Sequence, residues 1–492
     1  MPRKITFIGG GSYQWVPTLF RDIAVNEALS GSRFVLHDIH AARNEELAGV
    51  CRVIAGKLGS SVRIETAPVL AAALEDADAV ILCISTGGLD AMEHDIEIPK
   101  KYGIYQPVGD STGPGGISRT LRNVPVVTGI ARQMEIHCPA AWLINLSNPM
   151  DQIVRAIGKT SSIRVVGLCH EYMCFMDKLE QWFDLSDWRS ETSATLAGIN
   201  HFAWIKRLTI RGEDGLALLQ DRIAGTNAAA NAHAGNERFV NKSHLLDLNQ
   251  VKNSLFATYG LMPYPGDRHL VEFFPYFLSE KTGYGKKYGV ELTSIHDRRT
   301  SWLAHFKKII SDWTAPGPDS VPRKASSESL APVLAALFGG PVTVQPTVLP
   351  NRGQISNLPL GPCVETLATI ERDSVTPHAS GELPAAIVSL THKHCLNQDL
   401  TVDGAIEGDR TKVLHAMLAD PLNNNNDFRE IDRMLGELMN ANRALLPQFF
   451  DPAAPKSSAL GAGFAVRPDG DSRALLSGPT DSEAGLPQVA SL

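Results

Sequence analysis

Short β-rich runs alternate with helical stretches through roughly the first 170 residues of the chain, and few architectures produce this alternation. It is typical of a parallel sheet whose strands are joined by crossover helices. Several runs are continuously apolar, as expected of strands covered on both faces. The predicted strands are Lys4–Ile8, Arg33–His37, Ser61–Thr66, Ala79–Ile84, Ala141–Leu146 and Ile163–Leu168. We therefore predict an α/β fold with a doubly wound parallel sheet.

After about residue 195 the pattern changes to longer helical segments mixed with irregular loops. We expect a first domain over residues 1–195 and a larger mixed α+β domain over 196–450. Helices are predicted near 115–135, 291–313 and 427–446. Residues 451–492 are rich in Pro, Gly, Ala and Ser, which predicts a flexible C-terminal tail.

Composition excludes several functional classes. The 492 residues include 46 Lys and Arg against 53 Asp and Glu, a net charge of −7, whereas sequence-independent nucleic-acid binding needs a basic face. No apolar run approaches the roughly 20 residues of a membrane span. The seven cysteines are odd in number and contain no CxxC pair, which argues against a disulfide framework. We expect a cytoplasmic protein without nucleic-acid or membrane partners.

A glycine turn directly follows the first predicted strand. Gly9, Gly10, Gly11 and Ser12 lead from this strand into a helical stretch that begins near Trp15. Glycines let the backbone approach a pyrophosphate, which then lies at the helix N-terminus. Asp38 follows the second strand, where a ribose hydroxyl would be bound, and its charge would repel the extra phosphate of NADP. The sequence predicts a Rossmann-type NAD site, although a plain tight turn is the alternative for the glycines alone.

Polar residues also follow the fifth and sixth predicted strands. The amide of Asn148 could bind sugar or ribose hydroxyls, or Asn148 could simply form an Asn-Pro turn. Cys169 follows the sixth strand, and His201 comes about thirty residues later. One thiolate and one imidazole would suit an open divalent-metal site. The alternative is a buried cysteine and a core histidine.

Two further segments carry chemically useful groups. In the loop from Thr258 to His269, Asp267 is a candidate base, Tyr259 and Tyr264 are alternatives to it, and a solvated turn is the remaining interpretation. The glycine-rich segment 108–116 leads into two arginines one helical turn apart, Arg119 and Arg122. Their shared face could hold a carboxylate or carry a surface ion pair.

Taken together, these segments resemble one family, glycoside hydrolase family 4. The matching segments, in order, are GGGS, GDSTGPGGISRTLR, NLSNPMD, CHEY, GINHFAW and PGDRHLVEFFP, and the likeness extends over about residues 4–450. The resemblance implies a Rossmann-like domain, NAD and a divalent metal ion, usually Mn²⁺. It also implies a glycosidase chemistry outside the usual two-carboxylate scheme.

The resemblance also implies a reaction sequence. NAD⁺ oxidises the sugar at C3, the proton at C2 becomes acidic and is removed by a base, and the leaving group departs by elimination. Water then adds, and NADH returns the hydride, so that the cycle is redox-neutral. By position, Cys169 and His201 resemble the metal ligands, His170 the acid and Asp267 the base. Asn148 resembles a substrate contact, and the other predicted substrate-binding residues are Asp110, Arg119, Arg268 and His269.

The chain departs from the members that act on 6-phospho-sugars. Those members have an arginine near the 89–95 stretch, where this chain has Met92, and the cysteine motif here continues with His170 and Glu171. Within the family the likeness is to the α-galacturonidases, through DAMEHD, GIYQPVGDSTGPGG, NPM, CHE and GDRHL. The uronate carboxylate would need a cation, for which the candidates are Arg119, Arg122, Arg268 and His269.

The sequence does not exclude several other functions. Neutral α-glucosides, α-galactosides and α-glucuronides are alternative substrates, and a dehydrogenase of the 2-hydroxy-acid type is an alternative from another class. The resemblance further implies a homodimer or homotetramer.

Overall fold

A computed structural model describes residues 2–230 and 249–451, and these residues contain one sheet of 13 strands. The strands are β1 Lys4–Ile8, β2 Arg33–His37, β3 Arg63–Thr66, β4 Ala79–Leu82, β5 Trp142–Asn145, β6 Arg164–Gly167, β7 Thr192–Ile199, β8 Phe202–Ile210, β9 Glu213–Asp214, β10 Met262–Pro263, β11 Thr343–Pro350, β12 Cys363–Glu371 and β13 Ser374–Pro377. Except for residue 451, the predicted C-terminal tail lies outside the described residues.

The helices pack on both faces of the sheet and beside its second half. They are α1 Val16–Val25, α2 Ala41–Leu58, α3 Leu70–Leu74, α4 Gly88–Lys100, α5 Gly113–His137, α6 Met150–Thr160, α7 Glu171–Phe183, α8 Trp188–Glu191, α9 Gly215–Ala230, α10 Gln250–Tyr259, α11 Asp267–Leu270, α12 Ile295–Asp297, α13 Leu303–Thr314, α14 Leu330–Leu337, α15 Ala385–Glu407, α16 Arg410–Ala419, α17 Phe428–Ala441 and α18 Pro447–Phe450. A π-helical turn, Arg298–Trp302, joins α12 to α13.

The first six strands form the predicted doubly wound sheet. They are all parallel, in the order β3-β2-β1-β4-β5-β6, and each lies within two residues of its predicted bounds. The order reverses between β1 and β4, and such a switch point leaves a crevice beyond the carboxyl ends of the strands. The α/β fold and its Rossmann-type sheet are thus confirmed.

The second half of the chain extends the same sheet with antiparallel strands. β11 pairs with β6 at Val348 and Gly167, and β12 joins β11 to the β7–β8 hairpin through Glu365 and Gly198. The sequence pattern had not indicated these strands. The mixed α+β architecture is confirmed, but its strands continue the Rossmann sheet.

Helix α5 runs through the interior between α4, α6 and α15. Arg119 is 1% exposed and Arg122 is 0% exposed. The alternative of a surface ion pair is therefore wrong for this face, because neighbouring helices cover it. Arg122 instead forms a buried bidentate pair with Asp95 of α4, with one N···O distance of 2.8 Å.

Across the described ranges, every helix is too short or too polar to cross a membrane. All seven cysteines are free thiols, and six of them are buried.

Candidate active site

The predicted site residues converge at the carboxyl edge of the parallel strands. Gly9 follows β1, Asp38 follows β2, and Asn148 and Cys169 come within a few residues of the ends of β5 and β6. Because these strand ends meet at one edge beside the switch point, residues far apart in sequence can act on one ligand there.

The turn after β1 accepts only glycine. Gly9 has a φ of +103°, and a Cβ there would lie 1.9 Å from the carbonyl oxygen of Cys83 at the end of β4. A Cβ on Gly10 would lie 2.1 Å from Oδ1 of Asn44. The Asp38 carboxylate accepts hydrogen bonds from Gly11 N at 2.8 Å and His40 N at 2.7 Å, which ties the turn to β2. The bare backbone forms a cradle suited to a dinucleotide.

Arg43, which sequence reasoning missed, adds a cation to this cradle. It lies in the first turn of α2 and is buried, and its Nε and Nη1 have no hydrogen-bond partner among the described residues. Its guanidinium lies 5.9 Å from the ring centroid of Tyr13 and interacts electrostatically with Asp38. Buried donors without acceptors are costly, and a phosphate or ribose oxygen would satisfy them. The residues present therefore fit NAD.

A second cluster could hold a metal ion. Ligand atoms of Asp110, His201 and His269 all lie within 4.8 Å of one another. Sγ of Cys169 lies 3.5 Å from Nε2 of His201, and the rings of His201 and His269 stack at 3.7 Å. The structure thus places Asp110 and His269, predicted as substrate contacts, beside the two predicted metal ligands. Imidazole, carboxylate and thiolate together suit a divalent transition metal.

The tautomer of His201 follows from its neighbours. The Ser111 hydroxyl donates to Asp110 Oδ1 at 2.8 Å, because an ionised carboxylate only accepts. Since Ser111 has one hydroxyl proton, His201 Nδ1 must donate to the Ser111 oxygen, 2.7 Å away. Nε2 of His201 therefore carries the lone pair and faces Cys169. His201 has a φ of +63° in the β7–β8 turn, a conformation uncommon outside glycine and found at functional sites.

Burial and nearby charges leave the two imidazoles and the carboxylate of the cluster, but not its thiol, in the protonation state that binds a metal ion. Burial lowers the pKa of His201 to about 3 and also lowers that of His269, so that both imidazoles are neutral near pH 7. Burial acts to raise the pKa of Asp110, but the two imidazoles, the Arg119 guanidinium and the Ser111 hydroxyl hold it below its ordinary value. Burial and the carboxylates of Glu365 and Glu171 raise the pKa of the Cys169 thiol. A bound cation would favour the thiolate.

Asn148 lies against this cluster. Its Nδ2 donates to Asp110 Oδ2 at 3.1 Å, while its Oδ1 is buried and has no hydrogen-bond partner among the described residues. Its carbonyl oxygen accepts from Arg119 Nε at 3.1 Å and Asn123 Nδ2 at 2.9 Å. The unpartnered amide oxygen is a ready acceptor for a substrate hydroxyl.

Arg268 and Glu272 hold the loop that carries Asp110. Arg268 Nη2 donates to the carbonyl oxygen of Pro107 at 2.7 Å, and its Nε donates to that of Glu291 at 3.1 Å. Glu272 accepts from the backbone N–H groups of Val108 and Gly109 at 2.6 and 2.8 Å. Arg268, predicted as a substrate contact, thus makes its described hydrogen bonds to the scaffold.

The two predicted acid–base residues differ in their surroundings. The His170 side chain is 32% exposed beside Cys169, with Nδ1 3.7 Å from Glu328 and its ring 5.8 Å from that of Trp15. Asp267 is buried, and its oxygens accept Val251 N and Lys252 N at 2.9 Å each, at the N-terminus of α10. Burial raises the pKa of Asp267 to about 6, although the Lys252 ammonium opposes this.

The two tyrosines that are alternatives to Asp267 as the base also differ in their surroundings. The buried Tyr264 hydroxyl donates to Glu365, which also accepts from Asn200 Nδ2 at 2.9 Å. Burial raises the pKa of Glu365 to about 7. Tyr259 packs edge-on against Trp204, with ring centroids 5.5 Å apart. Tyr264 therefore has a carboxylate partner next to the metal-ligand turn, and Tyr259 contributes to the apolar core.

Comparison with known families decides the assignment. A family 4 glycosyl hydrolase model matches residues 4–185, and the model of that family's C-terminal domain matches residues 196–423. The chain belongs to glycosyl hydrolase family 4. An α-galacturonidase of Thermoanaerobacter italicus is 32% identical over 450 residues, which cover 90% of this chain and 97% of that protein.

Solved structures show the same fold for this family 4 glycosidase. A candidate glucosidase of Bacillus subtilis, lplD, superposes with a TM-score of 0.79 at 33% identity, covering 89% of this chain and 99% of that one. A 6-phospho-α-glucosidase from gut microorganisms, in complex with NAD and Mn²⁺, superposes with a TM-score of 0.76 at 19% identity. That alignment covers 91% of this chain and 100% of the other.

Four residues of the candidate site were not among those predicted from the sequence. Glu272 and Ser111 lie inside two of the segments that resemble the family, PGDRHLVEFFP and GDSTGPGGISRTLR, and Arg43 follows Asp38 in the first turn of α2. Glu365 had no distinguishing signal, because it acts through Tyr264 and Asn200, which only the fold brings close.

Proposed function

We propose that this family 4 glycosidase is an exo-acting α-galacturonidase that uses NAD and a divalent metal ion. The metal ion that we propose is Mn²⁺. The observation that carries the chemistry is the cluster of Asp110, Cys169, His201 and His269, at the sheet edge that also carries the glycine cradle. The substrate class is supported by the α-galacturonidase that is 32% identical over 90% of the chain. The substrates would be short pectin-derived oligosaccharides with α-linked galacturonate at the non-reducing end.

The dinucleotide supplies reversible hydride transfer at C3 of the sugar, and the metal ion supplies Lewis acidity at the sugar oxygens. Gly9, Gly10, Gly11 and Ser12 would hold the pyrophosphate, with Asp38 and Arg43 at the adenosine ribose. Cys169 and His201 would hold the metal ion with help from Asp110 and His269. Asn148 would orient a sugar hydroxyl through its unpartnered Oδ1.

Proton transfer needs an acid near the departing oxygen and a base near C2. His170 is the accessible group beside Cys169 and would protonate the leaving group. Asp267 is the proposed base, and its raised pKa favours proton uptake near neutral pH. Tyr264 is the alternative, because its proton could pass to Glu365 along their hydrogen bond.

Solvent-isotope exchange at C2 separates these two bases. With ketone formed at C3, the wild type in D₂O should place deuterium at C2 of released galacturonate. Loss of exchange in Asp267→Asn with retention in Tyr264→Phe assigns the base to Asp267, and the reverse result assigns it to Tyr264. Tyr259→Phe is the control that should leave exchange unchanged.

The function itself is tested by sugar release from digalacturonate. Enzyme stripped of cofactors receives NAD⁺ and Mn²⁺ separately and together, under a reductant that protects Cys169. Release only when both are present, without accumulation of NADH, supports the proposal. Cleavage of maltose or an α-galactoside in place of digalacturonate would change the substrate, and steady NADH accumulation without sugar release would indicate a dehydrogenase.

Cytoplasmic location and a homodimeric or homotetrameric state stay predictions. Cell fractionation and sedimentation velocity of the purified protein would test them.

A further inference from the structure

A small polar cavity lies behind the turn that carries His201. It is enclosed by the start of α5, the first turn of α6, helix α15 and the β7–β8 turn. Its volume is about 20 Å³, which is room for one particle of the size of a water molecule. The cavity can therefore hold a single small ligand.

Two amide oxygens at this cavity have no donor. Asn200 and Asn397 both line it and are 3% and 7% exposed. The Oδ1 atom of each is buried and has no hydrogen-bond partner among the described residues. The nitrogen of the Asn200 amide is engaged, because it donates to Glu365 at 2.9 Å. Buried acceptors without donors are costly, so a ligand that satisfies both oxygens would be stabilising.

Asp151 brings a carboxylate to the same cavity. It lies in the first turn of α6, lines the cavity and is 6% exposed. Within the described ranges its carboxylate accepts one hydrogen bond, from Asn200 N at 3.3 Å, and forms no ion pair. Burial raises the pKa of Asp151 well above its ordinary value, although the hydrogen bond from Asn200 opposes this. A carboxylate in such surroundings needs either a proton or a cation.

The second carboxylate at the cavity, that of Asp420, is already satisfied. It accepts from Thr112 Oγ1 at 3.2 Å and from the backbone N–H groups of Gly113 and Leu422 at 3.0 Å each. One negative charge, that of Asp151, is therefore left to balance, and it matches a monovalent cation. Mg²⁺ keeps several water molecules and Ca²⁺ takes six to eight oxygen ligands, for which a cavity of this volume has no room.

We propose that this cavity binds a dehydrated alkali cation, K⁺ or Na⁺, through the carboxylate of Asp151 and the amide oxygens of Asn200 and Asn397. Oxygen dipoles and carboxylates are hard ligands that replace the hydration shell of such an ion. A water molecule would satisfy the two amide oxygens but leave the charge of Asp151 without a partner.

The alkali cation would support the candidate active site from behind. Asn200 directly precedes His201, and its backbone N–H is bonded to Asp151. Ser111 also lines the cavity, and its hydroxyl oxygen lies 2.7 Å from Nδ1 of His201. The cation would thus hold the turn and the loop that orient His201, without contact to sugar or dinucleotide. This inference goes beyond the proposed function and does not depend on which sugar is cleaved.

Thermal unfolding of the full-length protein, without Mn²⁺ and NAD, gives the first test. It is measured in KCl, NaCl and tetramethylammonium chloride at equal ionic strength, because tetramethylammonium is too large for the cavity. We expect the midpoint to rise by about 2 °C in about 100 mM of the preferred alkali salt, and the rise to saturate with concentration. The difference between KCl and NaCl identifies the ion.

Variants assign this response to the cavity. Asp151→Asn should abolish it, and its midpoint in tetramethylammonium chloride should be no lower than that of the wild type, because the buried charge is gone. Asn397→Ala removes one ligand and should weaken the apparent affinity for the alkali ion about tenfold. Asp403→Asn makes the same change as Asp151→Asn at a partly exposed carboxylate of α15 that pairs with Lys159. It should keep the full response.

Two further measurements locate the ion and its effect. Crystals grown with Rb⁺ in place of K⁺ or Na⁺ should give an anomalous scattering peak between Asp151, Asn200 and Asn397. Calorimetric titration of Mn²⁺ into NAD-loaded enzyme should give an affinity about threefold higher in the preferred alkali salt than in tetramethylammonium chloride.

Three outcomes would overturn the inference. Equal midpoints in all three salts, without a Rb⁺ peak, would show that the cavity holds water and that Asp151 carries a proton. An alkali response that persists in Asp151→Asn would place the ion elsewhere. A midpoint response without any change in Mn²⁺ affinity would refute the support of the His201 turn. Failure to cleave digalacturonate would refute the proposed function alone, since none of these measurements uses a sugar.

Discussion

Ser111 should control metal affinity through two hydrogen bonds, although it has no predicted contact with the metal ion. Its hydroxyl joins Asp110 Oδ1 at 2.8 Å to His201 Nδ1 at 2.7 Å. In Ser111→Ala, both side chains lose their shared partner, and the tautomer of His201 that directs Nε2 toward Cys169 is no longer enforced. Loss of such an outer partner lowers metal affinity about 10- to 100-fold, or about 1.4–2.7 kcal/mol.

The assay is calorimetric titration of Mn²⁺ into NAD-loaded enzyme. Ser111→Thr keeps a hydroxyl at the same position and should bind Mn²⁺ within about threefold of the wild type. Thr128→Ala removes a buried hydroxyl within α5, one that donates only inside its own helix, to the carbonyl oxygens of Val124 and Pro125. It should leave metal affinity unchanged. Wild-type affinity in Ser111→Ala would refute the assignment of the His201 tautomer.

Three further predictions follow from buried charges. Arg43→Ala should weaken NAD⁺ binding about tenfold, because it removes the guanidinium donors that have no partner among the described residues. Quenching of tryptophan fluorescence by NAD⁺ in the absence of metal measures this affinity, and an unchanged value would show that Arg43 does not bind the cofactor. Arg122→Met should lower the free energy of unfolding by about 3–5 kcal/mol, since it strands the Asp95 carboxylate, and the double variant with Asp95→Leu should recover most of that loss in denaturant unfolding. Burial raises the pKa of Glu272 to about 8, so the folded state holds the carboxyl proton to higher pH than the unfolded state does. The contribution of this proton to stability is therefore complete below pH ~4.5 and disappears as pH rises through about 8. Glu272→Gln should flatten this part of the dependence of the thermal midpoint on pH.

The local sequence pattern was sufficient to predict those features that depend only on residues adjacent in the sequence. Each parallel strand is a short apolar run, because a strand buried on both faces must be apolar along its length. Gly9 could be predicted as a turn residue for the same reason, since the chain must reverse immediately after a buried strand. The structure adds that β4 lies close enough to exclude any Cβ there.

Side-chain partners in the site depend on distant segments, and the sequence pattern could not supply them. Helical spacing correctly placed Arg119 and Arg122 on one face, but only the packing of α4 and α6 shows that this face is interior. Likewise, a polar loop around Asp267 was consistent with a base, whereas the tertiary structure shows its carboxylate at the N-terminus of α10.

By itself, the sequence determined the parallel sheet, the glycine cradle and the family, because these rest on local periodicity and on motifs. The tertiary structure alone determined that Asp110 and His269 join Cys169 and His201, and that Arg122 pairs with Asp95 of α4. The physical reason is that a metal-ligand cluster and a charge pair are set by distances of a few ångströms between segments far apart in the chain. Only the packing of the whole sheet and its helices brings those segments together.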